Sequence, residues 1–258
     1  MTEHVRIAAE EGVLKLTLAR AEKKNALTQP MYTALGQALA RAETDASVRA
    51  VLLEAEGDAF CAGNDLGDFA AVAAGKLARE NMTAFSFLNA LARATKPIVA
   101  AVQGQAVGIG VTMLLHCDLV YVADDAKLSM PFVNLALVPE AASSALLQAR
   151  IGYARAFEMF AFGEPIDGRT AVSLGLANAA LPANEVRAKA WAAAKLLTTK
   201  PTGALQATKR LMRDAEALAA LIAKESEVFS ARLLSPETAE ALRAFAERRP
   251  PDFSKFSG

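Results

Sequence analysis

Apolar and polar residues alternate along Val13-Leu14-Lys15-Leu16-Thr17-Leu18, the two-residue period of a half-buried strand. Together with the segment before it, this predicts strands over 5–9 and 13–19, joined by a turn at 10–12. A polar loop follows over 20–27. Thr28 at an N-cap position and Pro30 in the first turn predict a helix over 29–45. Residues 48–55 read as a buried strand and 57–65 as a loop. Residues 78–94 carry Ala, Leu, Phe and Met at helical spacing, and Lys96-Pro97 ends that helix. Strands are expected at 98–102, 119–123 and 127–130, with a buried helix at 109–116 between them. Beyond Pro139 the spacing is mostly helical, over 141–150, 154–160, 168–174, 185–197, 203–213, 218–233 and 236–248. The chain is therefore α/β, mixed to about residue 180 and helical after it. Lys200-Pro201-Thr202-Gly203 is the best boundary, separating a core of residues 1–200 from a helical region of residues 201–258. The apolar faces of those last helices need cover, from the chain's own core or from a neighbouring subunit.

Composition narrows the class. A chain of 258 residues, 53% of them hydrophobic, can bury a large core. Lys+Arg and Asp+Glu both number 28, and no basic stripe is visible, so nucleic acid is not an expected partner. An anion can still be held by a local basic cluster or by backbone N–H groups. No apolar stretch reaches ~18 residues without a charge, and the N-terminus has no basic segment followed by an apolar run. These features predict a soluble, cytoplasmic protein that does not span a membrane. Cys61 and Cys117 fall in no metal-ligating or disulfide pattern and read as small buried hydrophobes; no metal is implied. His4 and His116 are the only histidines, which leaves Ser143 and Ser144 without an evident base and argues against a Ser-His-Asp hydrolase.

Two glycine-containing loops each follow a buried strand and precede a helix. One is Ala59-Phe60-Cys61-Ala62-Gly63-Asn64-Asp65-Leu66; the other is Gly104-Gln105-Ala106-Val107-Gly108-Ile109-Gly110. Such turns direct free N–H groups outward at a helix start, and two of them facing each other would make an oxyanion hole. Either loop alone is better explained by tight backbone packing. The second does not match Gly-x-Gly-x-x-Gly, so a dinucleotide fingerprint is not supported.

Taken together, the segments 20–27 (Arg-Ala-Glu-Lys-Lys-Asn-Ala-Leu), 60–66 and 101–118 (Ala101 to Asp118) resemble the enoyl-CoA hydratase/isomerase (crotonase) family in order and spacing. So do Pro139-Glu140-Ala141-Ala142-Ser143-Ser144 and the C-terminal run from Ala244 to Phe253. The resemblance spans essentially the whole chain. It implies the crotonase fold, a spiral of ββα units forming two packed sheets with C-terminal helices that build homotrimers or homohexamers. It implies an acyl-CoA substrate whose thioester oxygen lies between the backbone N–H groups of Asn64 and Ile109. Lys24, Asn25, Ala26 and Leu27, with Ala62, Gly63, Asn64, Asp65, Leu66 and Gly108, are implied to line the CoA site. Lys23, Arg248, Arg249 and Lys255 are further candidates for phosphates, although each alone reads as solvated surface charge. No cofactor beyond the CoA of the substrate is implied.

The resemblance also bears on the reaction. Hydratases of this family use two glutamates, and aligning the loops puts those positions at Thr112 and Phe132, neither acidic. Glu140, following Pro139, matches the Pro-Glu-x-x-Ser-Ser run of Δ3,Δ2-enoyl-CoA isomerases, in which this glutamate is the base. Its apolar neighbours Phe132, Val133, Leu137 and Val138 would raise its pKa, whereas a helix N-terminus at Ala141 would oppose the shift. Without the resemblance, Glu140 reads as an ordinary acid in a helix's first turn. The expectation is an isomerase with Glu140 as proton shuttle; the alternatives are a hydratase of fatty-acid β-oxidation and a catalytically silent acyl-CoA-binding protein.

Overall fold

The alternation at 13–18 forms the expected hairpin in the computed structural model, which describes residues 2–73 and 83–256. Strand β1 (Val5–Glu10) is an edge, exposed beyond Val5, and β2 (Val13–Leu18) buries Val13, Leu14, Leu16 and Leu18. The chain continues through α1 (Gln29–Thr44), β3 (Ala50–Ala55), α2 (Leu66–Ala73), α3 (Ala84–Arg93), β4 (Ile98–Val102) and β5 (Gln105–Val107). Next come α4 (Ile109–Thr112), tightening into a 3₁₀ turn over Met113–His116, then β6 (Leu119–Ala123), β7 (Lys127–Ser129), α5 (Ser143–Ile151) and α6 (Tyr153–Phe162). The last elements are β8 (Ile166–Asp167), α7 (Gly168–Ser173), β9 (Ala179–Leu181), α8 (Ala183–Thr198), α9 (Thr202–Met212), α10 (Ala215–Leu233) and α11 (Pro236–Ala246).

Two sheets result. The larger has the order β1-β2-β3-β4-β6-β9, parallel except for the β1–β2 hairpin; the smaller has the order β5-β7-β8. From β4 onward the chain feeds both sheets in turn, β4 then β5, β6 then β7, β8 then β9, and this is the spiral that the resemblance implied. The inner strand β4, Ile-Val-Ala-Ala-Val, is buried at every residue, as an apolar run covered on both faces requires. Helix α8 packs across β3, β4 and β6, and α10 packs on α3. Among the described residues no helix is long and apolar enough to cross a membrane.

The expected strands at 98–102 and 119–123 are found with those bounds. The helix expected over 78–94 appears as α3 over Ala84–Arg93, and the 78–82 part of that expectation lies outside the described residues. The helix expected from 141 starts at Ser143, because Ala141 and Ala142 have φ of 62° and 55°, left-handed values no right-handed helix accommodates.

The polar loop over 20–27 is organised by Asn25, whose side chain is fully buried. Its Oδ1 accepts from Arg20 N at 2.8 Å, and its Nδ2 donates to the carbonyls of Glu56 and Ala59, both at 2.8 Å. Asn25 is itself left-handed, at φ 56°. Asn25→Ala would strand three main-chain polar groups, one buried and two part-buried, and add left-handed strain, so it is expected to lower stability by about 3 kcal/mol. Urea unfolding at fixed protein concentration measures this, and a loss under ~1 kcal/mol would contradict the assignment.

Candidate active site

Both glycine loops are held in register by main-chain bonds. Cys61 N donates to Gln105 O at 3.0 Å, and Val107 N donates to Cys61 O at 2.8 Å. On the other side Leu27 N donates to Gly63 O at 2.8 Å, and Asp65 N donates to Leu27 O at 2.9 Å. Among the described residues, the N–H groups of Asn64 and Ile109 donate to none of these bonds. Ile109 is the first residue of α4, where a backbone N–H has no partner within its own helix. Gly108 precedes it with φ 55° and ψ −115°, a conformation that a side chain would strain. Gly110 is required for a different reason: a Cβ there would stand 2.5 Å from Cys61 O, so the loops touch at that residue.

Asn64 and Glu140 line the same cavity, of about 520 Å³, with Phe69, Leu88 and Phe229. A second cavity, of about 370 Å³, is lined by Ala62, Gly63, Leu66, Gly108, Phe132 and Phe245, among others. The two share Asn64, Phe69 and Phe229, so Asn64 stands where they meet. The carboxamide of Asn64 is fixed by Tyr32, whose hydroxyl donates to Asn64 Oδ1 at 2.5 Å. Burial, with the charge of Glu140, holds the Tyr32 pKa well above its usual value, so Tyr32 remains a donor.

Glu140 is buried, and its Oε1 accepts from Thr112 Oγ1 at 2.6 Å. Burial pushes the carboxyl up from 4.5 to about 7, against the Thr112 hydrogen bond and with the help of the Glu225 charge. The residues that follow are clamped. Ala141 O is bonded by His116 Nε2 at 2.7 Å, and Arg213 bonds His116 Nδ1, an arrangement that assigns the imidazole proton to Nε2. Burial, then the Arg213 charge, pushes His116 down to about 3, so the ring is neutral: a core histidine and not a base. Ala142 N donates to Glu225 Oε2 at 2.6 Å, and Ser144 N donates to Glu225 Oε1 at 3.0 Å.

The elevated pKa has a consequence for stability. The unfolded carboxyl titrates near 4.5 and the folded one near 7, so the folded state holds the proton more tightly. This contribution is complete below 4.5 and is lost as the pH rises through about 7, a decline of roughly 3 kcal/mol. Denaturant unfolding across that range should show the decline in the wild type and not in Glu140→Gln; parallel profiles would refute it.

Of the residues the sequence singled out, Glu140, Asn64, Ala62, Gly63, Leu66 and Gly108 line these cavities, whereas Ile109 lines neither and is fully buried at the start of α4. Lys24, Asn25, Ala26, Leu27 and Asp65 line neither cavity. Asn25 and Leu27 are buried in the scaffold, Ala26 O accepts from Arg20, and Lys24 Nζ lies 3.4 Å from Gln105. Asp65 pairs with Arg20 at 2.7 Å and accepts from Gly67 N, fixing the loop's exit. Arg249 lines the second cavity but pairs with Glu240 and Glu247. Lys255 pairs with Asp252. Thr112 and Phe132, the expected places of hydratase carboxylates, hold the hydroxyl that bonds Glu140 and a ring packed on Phe160. Sequence reasoning did not single out Glu225 or Tyr32. Glu225 carried a signal, because it interrupts the apolar stripe Leu218, Ile222, Phe229 at helical spacing.

Comparison with known proteins agrees with this fold. Residues 8–255 match the family profile described as enoyl-CoA hydratase/isomerase. The chain is 36% identical to rat "Enoyl-CoA delta isomerase 2" over 95% of its own length and 63% of that protein's, so it spans under two thirds of that relative. It is 34% identical to a "Probable enoyl-CoA hydratase" of Rhodobacter capsulatus, over 97% of each chain. The crystal structure of an enoyl-CoA hydratase/isomerase from Pseudoalteromonas atlantica superposes with a TM-score of 0.91 at 38% identity, over 97% of this chain and all of that one. Spiral fold, interlocked glycine loops and whole-length similarity lead to one assignment: the chain belongs to the enoyl-CoA hydratase/isomerase family.

Proposed function

We propose that the protein is an enoyl-CoA isomerase that moves a double bond from the 3-position to the 2-position of an acyl-CoA. The observation that supports this is the state of Glu140. Thr112 occupies Oε1, and no hydrogen bond among the described residues reaches Oε2, which is left to the cavity. Glu140 takes a proton from C2 of the thioester; the electron pair delocalises onto the thioester oxygen, held by the N–H groups of Asn64 and Ile109. The same carboxyl then protonates C4, and the double bond is left between C2 and C3. Preorganised donors act most strongly on charge that develops during reaction. A base with a pKa near the working pH is suited to both removing and returning a proton. The pantetheine arm fits the second cavity, and the acyl chain fits the first.

Hydration is the second reading, because an exposed carboxylate, Glu227, lines the same cavity as Glu140. A pair of ultraviolet assays separates the readings. Conjugation gained from a cis-3-enoyl-CoA supports isomerisation; conjugation lost from a trans-2-enoyl-CoA, and lost more slowly in Glu227→Gln, supports hydration. Silence in both with CoA binding retained supports the catalytically silent acyl-CoA-binding reading. Self-association is part of the proposal, with the C-terminal region of residues 201–258 as its seat. Leu211, Met212, Leu234 and Phe245 are exposed there. A monomer in sedimentation at micromolar concentration would contradict that part.

A further inference from the structure

A base at the start of a helix has a physical problem. The free N–H groups of the first turn carry partial positive charge, which favours a carboxylate and so weakens it as a base. Glu140 lies three residues before Ser143, the first residue of α5. In this chain those N–H groups are already taken. Glu225 reaches across from α10, 83 residues beyond Ala142, and accepts from Ala142 N, Ser144 N and Ser144 Oγ. All three partners present a hydrogen, so the geometry suits the carboxylate form of Glu225.

We propose that Glu225 is a positioning residue for Glu140: its carboxylate fills the N-terminus of α5, locks the left-handed Ala141-Ala142 turn, and keeps the helix dipole off the base. The role rests on the isomerase reading, since a base is what needs such protection, and on geometry that no catalytic requirement of Glu225 itself explains. The turn is held from both sides, with His116 on the carbonyl of Ala141 and Glu225 on the N–H of Ala142. Two non-glycine left-handed residues in succession are strained and persist only when their surroundings over-determine them.

The groups facing Glu140 can be named. Thr112 from α4 donates to it; Tyr32 from α1 and Cys61 from the first glycine loop lie close, and burial pushes both of their pKa values up, so neither carries charge near neutrality. His116, bonded at Ala141, is neutral, and Glu227 lines the cavity at its exposed side. Glu225 is in electrostatic contact with Glu140; burial raises its pKa, and the hydrogen bonds from Ser144 and Ala142 oppose that shift and favour its carboxylate form.

Glu225→Gln removes that charge and sets an amide NH₂ or a neutral oxygen against the helix's N–H groups. Both changes act in one direction, toward a more acidic Glu140. The Glu140 titration, followed by the infrared carbonyl stretch of its protonated carboxyl and assigned by its absence in Glu140→Gln, should move down by about one pH unit or more. The acid limb of kcat/KM should move with it, while kcat falls about tenfold or more as the turn loosens. Glu225→Asp keeps the charge but cannot span both N–H groups; it should leave the titration in place and lower kcat with KM little changed. An unmoved titration in Glu225→Gln, or a wild-type kcat in Glu225→Asp, would overturn the proposal. The infrared titration needs no turnover. If the wild type fails to isomerise a 3-enoyl-CoA, the isomerase reading falls, while the shift on removing Glu225 still decides the positioning role.

Discussion

Glu140→Gln is expected to reduce conversion of a cis-3-enoyl-CoA to its conjugated isomer by between about 10² and 10⁴-fold, the usual range for removing a general base. The substitution nearly preserves shape. The amide can still accept from the Thr112 hydroxyl, and the buried site no longer has to accommodate a charge. Fold and CoA affinity should therefore survive, and the loss should appear in kcat with little change in KM. The absorbance of the conjugated thioester is the readout. Turnover within tenfold of the wild type would remove Glu140 from the mechanism and return attention to Glu227. The result also separates an enzyme from a silent binder, which has no turnover to lose.

Gly110→Ala is expected to produce the second large effect, through the oxyanion hole. The added methyl would stand 2.5 Å from Cys61 O and 3.0 Å from Cys61 Cβ, both in the first glycine loop. Neither neighbour is the far end of a flexible side chain, so the start of α4 has to move away from that loop. Ile109 N–H moves with it. Loss of one preorganised donor costs on the order of 10²–10³ in kcat. The second cavity lies mainly on other residues, so binding of free CoA, measured calorimetrically, should change little. A soluble variant with wild-type kcat would show that this contact does not set the donor.

Much of this was legible in the sequence wherever a long apolar pattern met a clear break. β4 and β6 are continuous apolar runs bounded by turns, and their limits were read correctly. β5, β8 and β9 are two or three residues long, too short for a period to emerge, and β5 was read as part of a glycine loop. The start of α5 was misplaced because alanine is a good helix former, and nothing local marks Ala141 and Ala142 as left-handed. That conformation is imposed by His116 and Glu225, which arrive from distant elements. Two opposed influences on Glu140, burial and the helix terminus, were visible beforehand, but their balance was not. It depends on which group caps α5, and that is a fact of tertiary structure. The CoA-site residues divide on similar grounds. Gly63 and Gly108 line a cavity, whereas Asn25, which stands in the same strip as Lys24, turns its side chain inward to three main-chain partners.

Under the isomerase proposal, the hydrogen bond from Thr112 also limits the stereochemistry. With Oε1 tied to that hydroxyl, Oε2 is the oxygen open to the substrate, and it has to serve both C2 and C4. One oxygen fixed on one side of a planar dienolate can only lift a hydron from, and set it back on, the same face. The shift is then suprafacial. Because Glu140 is itself buried, a deuterium label at C2 should pass in part to C4 of the same molecule before exchanging with solvent.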